Sequence, residues 1–170
     1  MQLRRAEVLR GARALLDDQG LDGLTLAALG ALLEAPAGRL DQLFPSRRAL
    51  LDVIAAELVS GVAATPPAGP WDQRLATLAH RLRRALLGAR DGARLVAETF
   101  VADPETVRTG ARILVEDAGF ADDQATWAVL TLSHYVLGHT IEEQSQDTAD
   151  AGRRFEFGLG LILDGIRRLV

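Results

Sequence analysis

Apolar residues recur at helical spacing along almost the whole chain of 170 residues. Two segments show this most clearly: Val8, Ala12, Leu15 and Leu16, and then Leu75, Leu78, Leu82 and Leu86. Steps of three and four positions place such residues on one face of an α-helix, whereas a half-buried strand alternates at every second residue. The sequence contains no alternation of that kind. We therefore predict an all-α fold.

Capping and breaking residues divide the first third of the chain into four predicted helices. Gly20 ends the first helix in the manner of a left-handed cap, and Thr25 begins the second as its N-cap. Pro36 suits the first turn of a third helix, and Ser46 caps a fourth. The predicted helices span about 4–19, 26–33, 36–44 and 47–62. Three short helices with a tight turn between the second and third predict a helix-turn-helix.

A proline-rich stretch then separates two domains. Residues 63–70 read AATPPAGP, a composition typical of a stiff, extended linker. We predict a helix-turn-helix domain with its connecting helix over residues 1–62 and a second helical domain over residues 71–170. Helices are expected in the second domain over about 71–88, 92–101, 103–118, 122–146 and 151–169.

Composition narrows the class of protein. Hydrophobic residues make up 48% of the chain and charged residues 25%, which argues against disorder. The absence of cysteine excludes disulfides and Cys-ligated zinc, and no apolar run approaches the length of a membrane span. The N-terminus lacks a signal-peptide core, so a cytoplasmic protein is expected. With no nucleophile–base pair, carboxylate cluster or phosphate loop, we expect no enzyme, no cofactor and no metal.

The charge balance limits how the chain can contact nucleic acid. The formal net charge is −4, and all 19 positive charges are arginine. Residues 1–50 carry seven arginines and six acids, a net charge of only +1. Any contact with DNA must therefore come from a local patch.

Five ordered segments resemble the tetracycline-repressor (TetR) family over nearly the whole chain. In the first segment, residues 20–58, the matching positions are Gly20, Leu24, Thr25, Phe44, Arg47, Leu50 and Leu51. The other four segments are residues 71–100, 118–120, 133–144 and 155–166. The resemblance implies a homodimer that binds double-stranded operator DNA through the N-terminal domain and is released by a small effector bound in the C-terminal domain.

The resemblance implies a DNA-reading third helix, but several of its usual contacts are replaced. The remaining candidates for DNA contact are Thr25, Arg39, Arg47 and Arg48. Asp41 and Leu43 stand where the family usually has Tyr and His, and Glu34 stands at the usual turn glycine. Arg39 either reads a base edge or is an idle surface residue. Two functions thus stay open, an operator-binding repressor and a dimer that has lost DNA binding and sequesters a ligand or a partner regulator.

The effector pocket is also taken from the resemblance. Its implied residues are Leu78, Leu82, Val96, Thr99, His134 and Glu142. Val96 stands where the tetracycline repressor has a magnesium-binding His, and Val has no donor atom. The expected effector is therefore a mostly apolar molecule with one or two hydrogen-bonding groups. His134 has an alternative interpretation as an ordinary core histidine.

The last predicted helix is apolar on much of its surface. Phe155, Leu159, Ile162 and Ile166 form a stripe, and interspersed glycines permit close helix packing. We predict that this stripe and the helix over 122–146 form half of a four-helix, twofold dimer interface. The alternative is a helix buried within a monomer.

Overall fold

The computed structural model describes residues 4–36, 38–99, 104–146 and 149–170. These residues form nine helices and no strand, which confirms the all-α prediction. The helices are α1 (Arg5–Gly23), α2 (Leu26–Leu32), α3 (Arg39–Leu43), α4 (Arg47–Val59), α5 (Trp71–Leu87), α6 (Gly92–Thr99), α7 (Pro104–Ala118), α8 (Asp122–Ser145) and α9 (Ala151–Arg167). No helix among the described residues is long and apolar enough to cross a bilayer.

Helices α1 to α4 close around a shared apolar core at the N-terminal end. The Thr25 side chain accepts a hydrogen bond from the Ala28 N–H at 3.1 Å, and Ser46 accepts one from the Ala49 N–H at 3.1 Å. Both predicted N-caps are therefore confirmed, because each satisfies a donor that the helix itself leaves unpaired. The core between the helices includes Leu16, Leu29, Leu40, Phe44 and Leu50.

The prediction that the third helix begins at Pro36 is wrong. The helix begins at Arg39, after Gly38 in the left-handed region at φ +77°. Earlier in the same turn Glu34 has a φ of +47°, a conformation that glycine adopts without steric cost. These left-handed residues extend the turn and shorten α3 to a little over one helical turn.

Helix α8 is the centre of the C-terminal unit. It packs against α5, α6, α7 and α9, while α4 packs against α5 and α6 from the other side. The predicted linker lies on α5: Arg81 donates to the Thr65 carbonyl at 2.5 Å, and Arg74 donates to the Pro67 carbonyl at 3.0 Å. One apolar core runs without interruption through both units.

Candidate functional site

Helices α2 and α3 present the face that a helix-turn-helix would turn toward DNA. On α3, Asp41 and Gln42 are exposed and Arg39 is half-buried. The Arg39 guanidinium donates to the Gln42 side-chain oxygen at 2.7 Å, so the two side chains stand together. Arg suits the acceptors of guanine and Gln suits adenine in the major groove. Gln42 was missed from the sequence, although an exposed amide on the third helix was a usable signal.

Arg47 has a structural role in the N-terminal unit. Its guanidinium donates to the Leu24 and Leu21 carbonyls, both at 2.7 Å. These carbonyls lie at the C-terminal end of α1 and in the residues that follow it, and the Leu21 carbonyl also accepts the Leu24 N–H at 3.3 Å. Arg47 is half-buried and engaged within the unit, and its contact with DNA phosphate stays a prediction.

Arg48 is exposed, and its guanidinium contacts the C-terminal unit. It donates to the Glu98 carbonyl at 2.9 Å and to the Thr99 carbonyl, at the C-terminal end of α6. The same guanidinium pairs with Asp52 at 2.7 Å. A cation at a helix C-terminus is favourable because the last carbonyls carry partial negative charge. The predicted contact of Arg48 with DNA likewise stays a prediction.

A second set of polar contacts joins the start of α6 to the end of α1. The Leu21 N–H donates to Asp91 Oδ2 at 2.8 Å, and Arg94 pairs with Asp22 at 3.1 Å. Gly20, at φ +75° and ψ −179°, lets the chain pass so close that an added Cβ would lie 2.7 Å from Asp91 Oδ2. Together with Arg48, these contacts hold both ends of α6 against the N-terminal unit. We call them the α6 joint.

A small cavity lies in the interior of the C-terminal unit. Its volume is about 10 Å³, room for one water molecule. Leu78 and Leu82, two of the predicted pocket residues, line it together with Leu75, Ala79, Thr106, Val129, Leu132, Ser133 and Val136. A wider open groove of about 600 Å³ lies outside, between α7 and α8. An effector that entered the interior would have to move the helices apart.

The other four predicted pocket residues do not line this cavity. Val96 is buried in α6, and the buried Thr99 hydroxyl donates to the Leu95 carbonyl at 2.8 Å. His134 is exposed on α8, so neither the pocket role nor the core alternative describes it. Glu142 is exposed and pairs with Arg154 of α9 at 2.5 Å. The structure thus brings together only Leu78 and Leu82 of the six.

Helix α9 turns its predicted interface stripe toward its own protomer. Phe155, Leu159 and Ile166 are buried, and Ile162 is half-buried. This corrects the prediction, since side chains packed in the protomer core cannot also form a free surface. The exposed large apolar residues of the region are instead Trp127 on α8 and Phe157 and Leu161 on α9. We call these three the exposed apolar face.

The buried end of α9 is held by polar and aromatic side chains that the sequence did not reveal. The Arg83 guanidinium carbon lies 4.8 Å from the centre of the Phe155 ring, and the rings of His80, Tyr135 and His139 lie 5.4–5.7 Å from it. Arg83 also pairs with Glu143 through two hydrogen bonds of 2.5 and 2.9 Å. Burial lowers the pKa of His139 and raises the pKa of Tyr135. We call this arrangement of α5, α8 and α9 the Phe155 cage.

Comparison with known proteins identifies the family. Residues 63–154 match the domain described as tetracyclin repressor-like, C-terminal domain. The chain is 36% identical to tetracycline repressor protein class C of Escherichia coli, over 91% of this chain and 72% of that protein. This chain belongs to the TetR family. The helix-turn-helix and the C-terminal helical unit described above therefore occupy the positions expected for a TetR-family transcriptional regulator.

Two solved TetR-family structures resemble the whole fold. A TetR variant from Acinetobacter baumannii AYE, in complex with minocycline, is 33% identical with a TM-score of 0.88, covering 98% of each chain. BioQ with its natural double-stranded DNA operator is 34% identical with a TM-score of 0.85, covering 97% of this chain and 98% of that one. Within the described ranges of the present TetR-family chain, no three His, Asp or Glu side chains converge as a metal site would require.

Proposed function

We propose that this chain is a dimeric, ligand-responsive repressor that binds operator DNA and acts by binding, not by catalysis. The observation that carries the proposal is the likeness over both units to TetR-family proteins, one bound to operator DNA and one to minocycline. The α2–α3 pair is the element that would enter the major groove. Its exposed side chains offer hydrogen bonds to base edges.

The DNA contacts we propose differ from those predicted from the sequence. Arg39 and Gln42 would read bases, whereas Thr25 is exposed and serves as the N-cap of α2. Arg47 and Arg48 contribute to affinity only indirectly, through the fold and the α6 joint. With few free cations on this face, we expect a shallow dependence of affinity on salt, because each neutralised phosphate adds about −0.9 to the slope.

The homodimer we propose uses the exposed apolar face. Trp127 and His134 lie two helical turns apart on one side of α8, and Phe157 and Leu161 lie one turn apart on α9. Monomeric proteins rarely expose three large apolar side chains in one region. Pairing two copies about a twofold axis would cover them and place two α3 helices on the same side of the dimer.

The effector we propose is mainly apolar and opens the interior cavity. The cavity walls are aliphatic except for Thr106 and Ser133. Val96 is buried and has no donor atom, so the magnesium ion that accompanies tetracycline would find no ligand there. Separating α5 from α8 would displace α6, which packs on both, and the α6 joint would carry that movement to α1 and α4.

A selection of bound sites from random double-stranded DNA, performed with the full chain, tests the repressor function. We expect enrichment of a twofold site whose half-sites lie about one DNA turn, roughly 34–36 Å, apart. The Arg39→Ala variant should lose preference at one base position, by about 1–3 kcal/mol if the contact is bidentate, with Arg39→Lys as the charge-matched control. No enrichment at low salt would contradict the proposal.

A second function, a dimer that has lost operator binding and sequesters a ligand or a partner regulator, is favoured by one specific observation. Arg47 and Arg48 are engaged within the protein, and Asp41 is exposed on α3 where it would repel phosphate. This function predicts that the wild type fails to bind DNA while the Asp41→Tyr, Leu43→His double variant binds it. Retardation assays on the two proteins at two salt concentrations separate the two functions.

A further inference from the structure

The His139 side chain is largely buried and makes no hydrogen bond within the protein. Its side chain is 8% exposed, and neither ring nitrogen has a partner. Among the described residues, these nitrogens are the only buried side-chain N or O atoms in that condition. Because buried polar groups are nearly always hydrogen-bonded, an exception calls for a functional explanation.

The surroundings of His139 suit a neutral ring and oppose a charged one. Glu143 is the nearest acid, with Oε2 3.8 Å from His139 Nδ1, but both its oxygens already accept hydrogen bonds from Arg83. The rings of Phe155 and Tyr135 cover the imidazole at 5.4 and 5.8 Å. The other charged or titratable groups of the packed elements are His80 and Arg83 on α5, Tyr135, Glu142 and Glu143 on α8, and Arg154 and Glu156 on α9.

The direction of the pH effect follows from burial. Loss of solvent lowers the pKa of His139 below the 6.5 of a free imidazole, with Glu143 opposing the effect only in part. The unfolded chain therefore binds a proton more readily than the folded one below pH 6.5. The packing around His139 has its full stability above pH 6.5 and loses stability as the pH falls below that value.

The same packing fastens the first two turns of α9. Phe155 is fully buried in the cage, and its main-chain carbonyl accepts a hydrogen bond from the Tyr135 hydroxyl at 2.9 Å. Phe157 and Leu161 follow immediately on the opposite side of the helix and are exposed. Any displacement of Phe155 from its cage must therefore move the exposed apolar face as well.

We propose that His139 is an acid-sensitive latch for α9. Protonation of its ring weakens the packing of Phe155 between α5 and α8. Helix α9 is then held less firmly, and this weakens the pairing of two protomers. The first half of the inference concerns the protomer alone. The second half rests on the proposed homodimer.

The first half of the inference is tested by NMR, by following the signals of the three histidine rings of the wild-type chain as the pH is lowered. We expect the His139 signal to titrate below pH 6.5, and protection of the amides of residues 151–158 from hydrogen exchange to fall in the same range. The His139→Leu variant should keep that protection at low pH, with His139→Gln as a second neutral replacement if it folds poorly. Titration of His139 at or above pH 6.5, or protection unchanged by pH, would overturn the latch.

The dimer is tested by sedimentation of wild type at about pH 7.5 and about pH 5.5, a range in which histidine is the side chain that ordinarily titrates. We expect the dissociation constant of the dimer to be about tenfold larger at the lower pH, which is equivalent to a loss of about 1.4 kcal/mol of association free energy. That dependence should persist in His134→Gln and His80→Gln and vanish in His139→Leu. A pH-independent dimer in wild type refutes the second half. A wild-type monomer at both pH values refutes the homodimer instead, and the NMR result then decides the latch alone.

Discussion

Apart from histidine, arginine is the only basic residue type in this protein. Several of these arginines donate hydrogen bonds to main-chain carbonyls. The residues that make such contacts are Arg47, Arg48, Arg74, Arg81 and Arg90. A guanidinium has five donors in a rigid plane, so one side chain can satisfy two carbonyls of a connector at once. At the scale of single residues, these five arginines thus hold loops and helix ends in place.

Arg47 gives a test of this structural role. We expect Arg47→Ala to lower the free energy of unfolding by about 1–3 kcal/mol, because two connector carbonyls lose a charged donor. Arg47→Lys should lose nearly as much, since an ammonium cannot span both carbonyls, while the exposed Arg10→Ala should change little. Urea unfolding measures all three. If Arg47→Lys keeps wild-type stability and only Arg47→Ala loses DNA affinity, Arg47 is a phosphate contact after all.

Histidine placement shows what the sequence could not reveal at this scale. His134 was predicted in the pocket or core, yet it is exposed, while His139, which was not singled out as a core residue, is buried. Five positions separate them, which places them about 140° apart around α8 at 100° per residue. Because α8 has apolar residues on nearly every side, periodicity could not tell which histidine faces inward.

At the scale of elements, most helices were predictable because caps and breakers mark their ends. The exceptions are positions where tertiary contacts decide the backbone. The third helix begins at Arg39 because Gly38 and Glu34 are left-handed, which no local pattern required of Glu34. The face of α9 was assigned wrongly for the same reason as the histidines of α8, since apolar residues cover both its sides. The α6 joint was not predictable, because its partners lie about 50 to 70 positions apart in sequence.

The glycine at the end of α1 offers a test of that joint. Gly20→Ala places a Cβ 2.7 Å from Asp91 Oδ2 in a backbone conformation that is almost exclusive to glycine. We expect a loss of about 2–5 kcal/mol from backbone strain and from the broken Leu21–Asp91 hydrogen bond. Gly38→Ala, with φ +77° and ψ −5° in the left-handed region and nothing within 4 Å of its Cβ, is the control for a Cβ added in open space and should lose only about 1 kcal/mol.

Thermal unfolding of the two glycine variants separates backbone strain from the joint. If Gly20→Ala costs as much in an Asp91→Ala background as in the wild type, the loss comes from backbone strain alone and the joint idea fails. A loss that shrinks in the Asp91→Ala background would show that the contact with Asp91 is responsible.

At the scale of the whole molecule, the two units share one apolar core, and a group of large apolar side chains remains exposed on the surface. The apolar core is continuous from α1 to α9, and α6 is tied at both ends to the N-terminal unit. We therefore expect a change in the C-terminal interior to reach the N-terminal unit through the packed helices and the α6 joint. The part left uncovered is the exposed apolar face of α8 and α9.

Substitutions on opposite sides of α9 decide whether that face pairs two protomers. Phe157 is 71% exposed and Leu161 59% exposed, so Phe157→Arg or Leu161→Arg should leave the protomer folded. Each places a charge where the partner's apolar side chains would pack, and the dimer should give way to a folded monomer. Leu159→Arg, at a position 3% exposed, should instead unfold the protomer because the charge enters the core. Sedimentation measures the oligomeric state and circular dichroism measures folding. A folded Leu159→Arg monomer together with an intact Phe157→Arg dimer would contradict this interface and support the stripe of α9 predicted from the sequence.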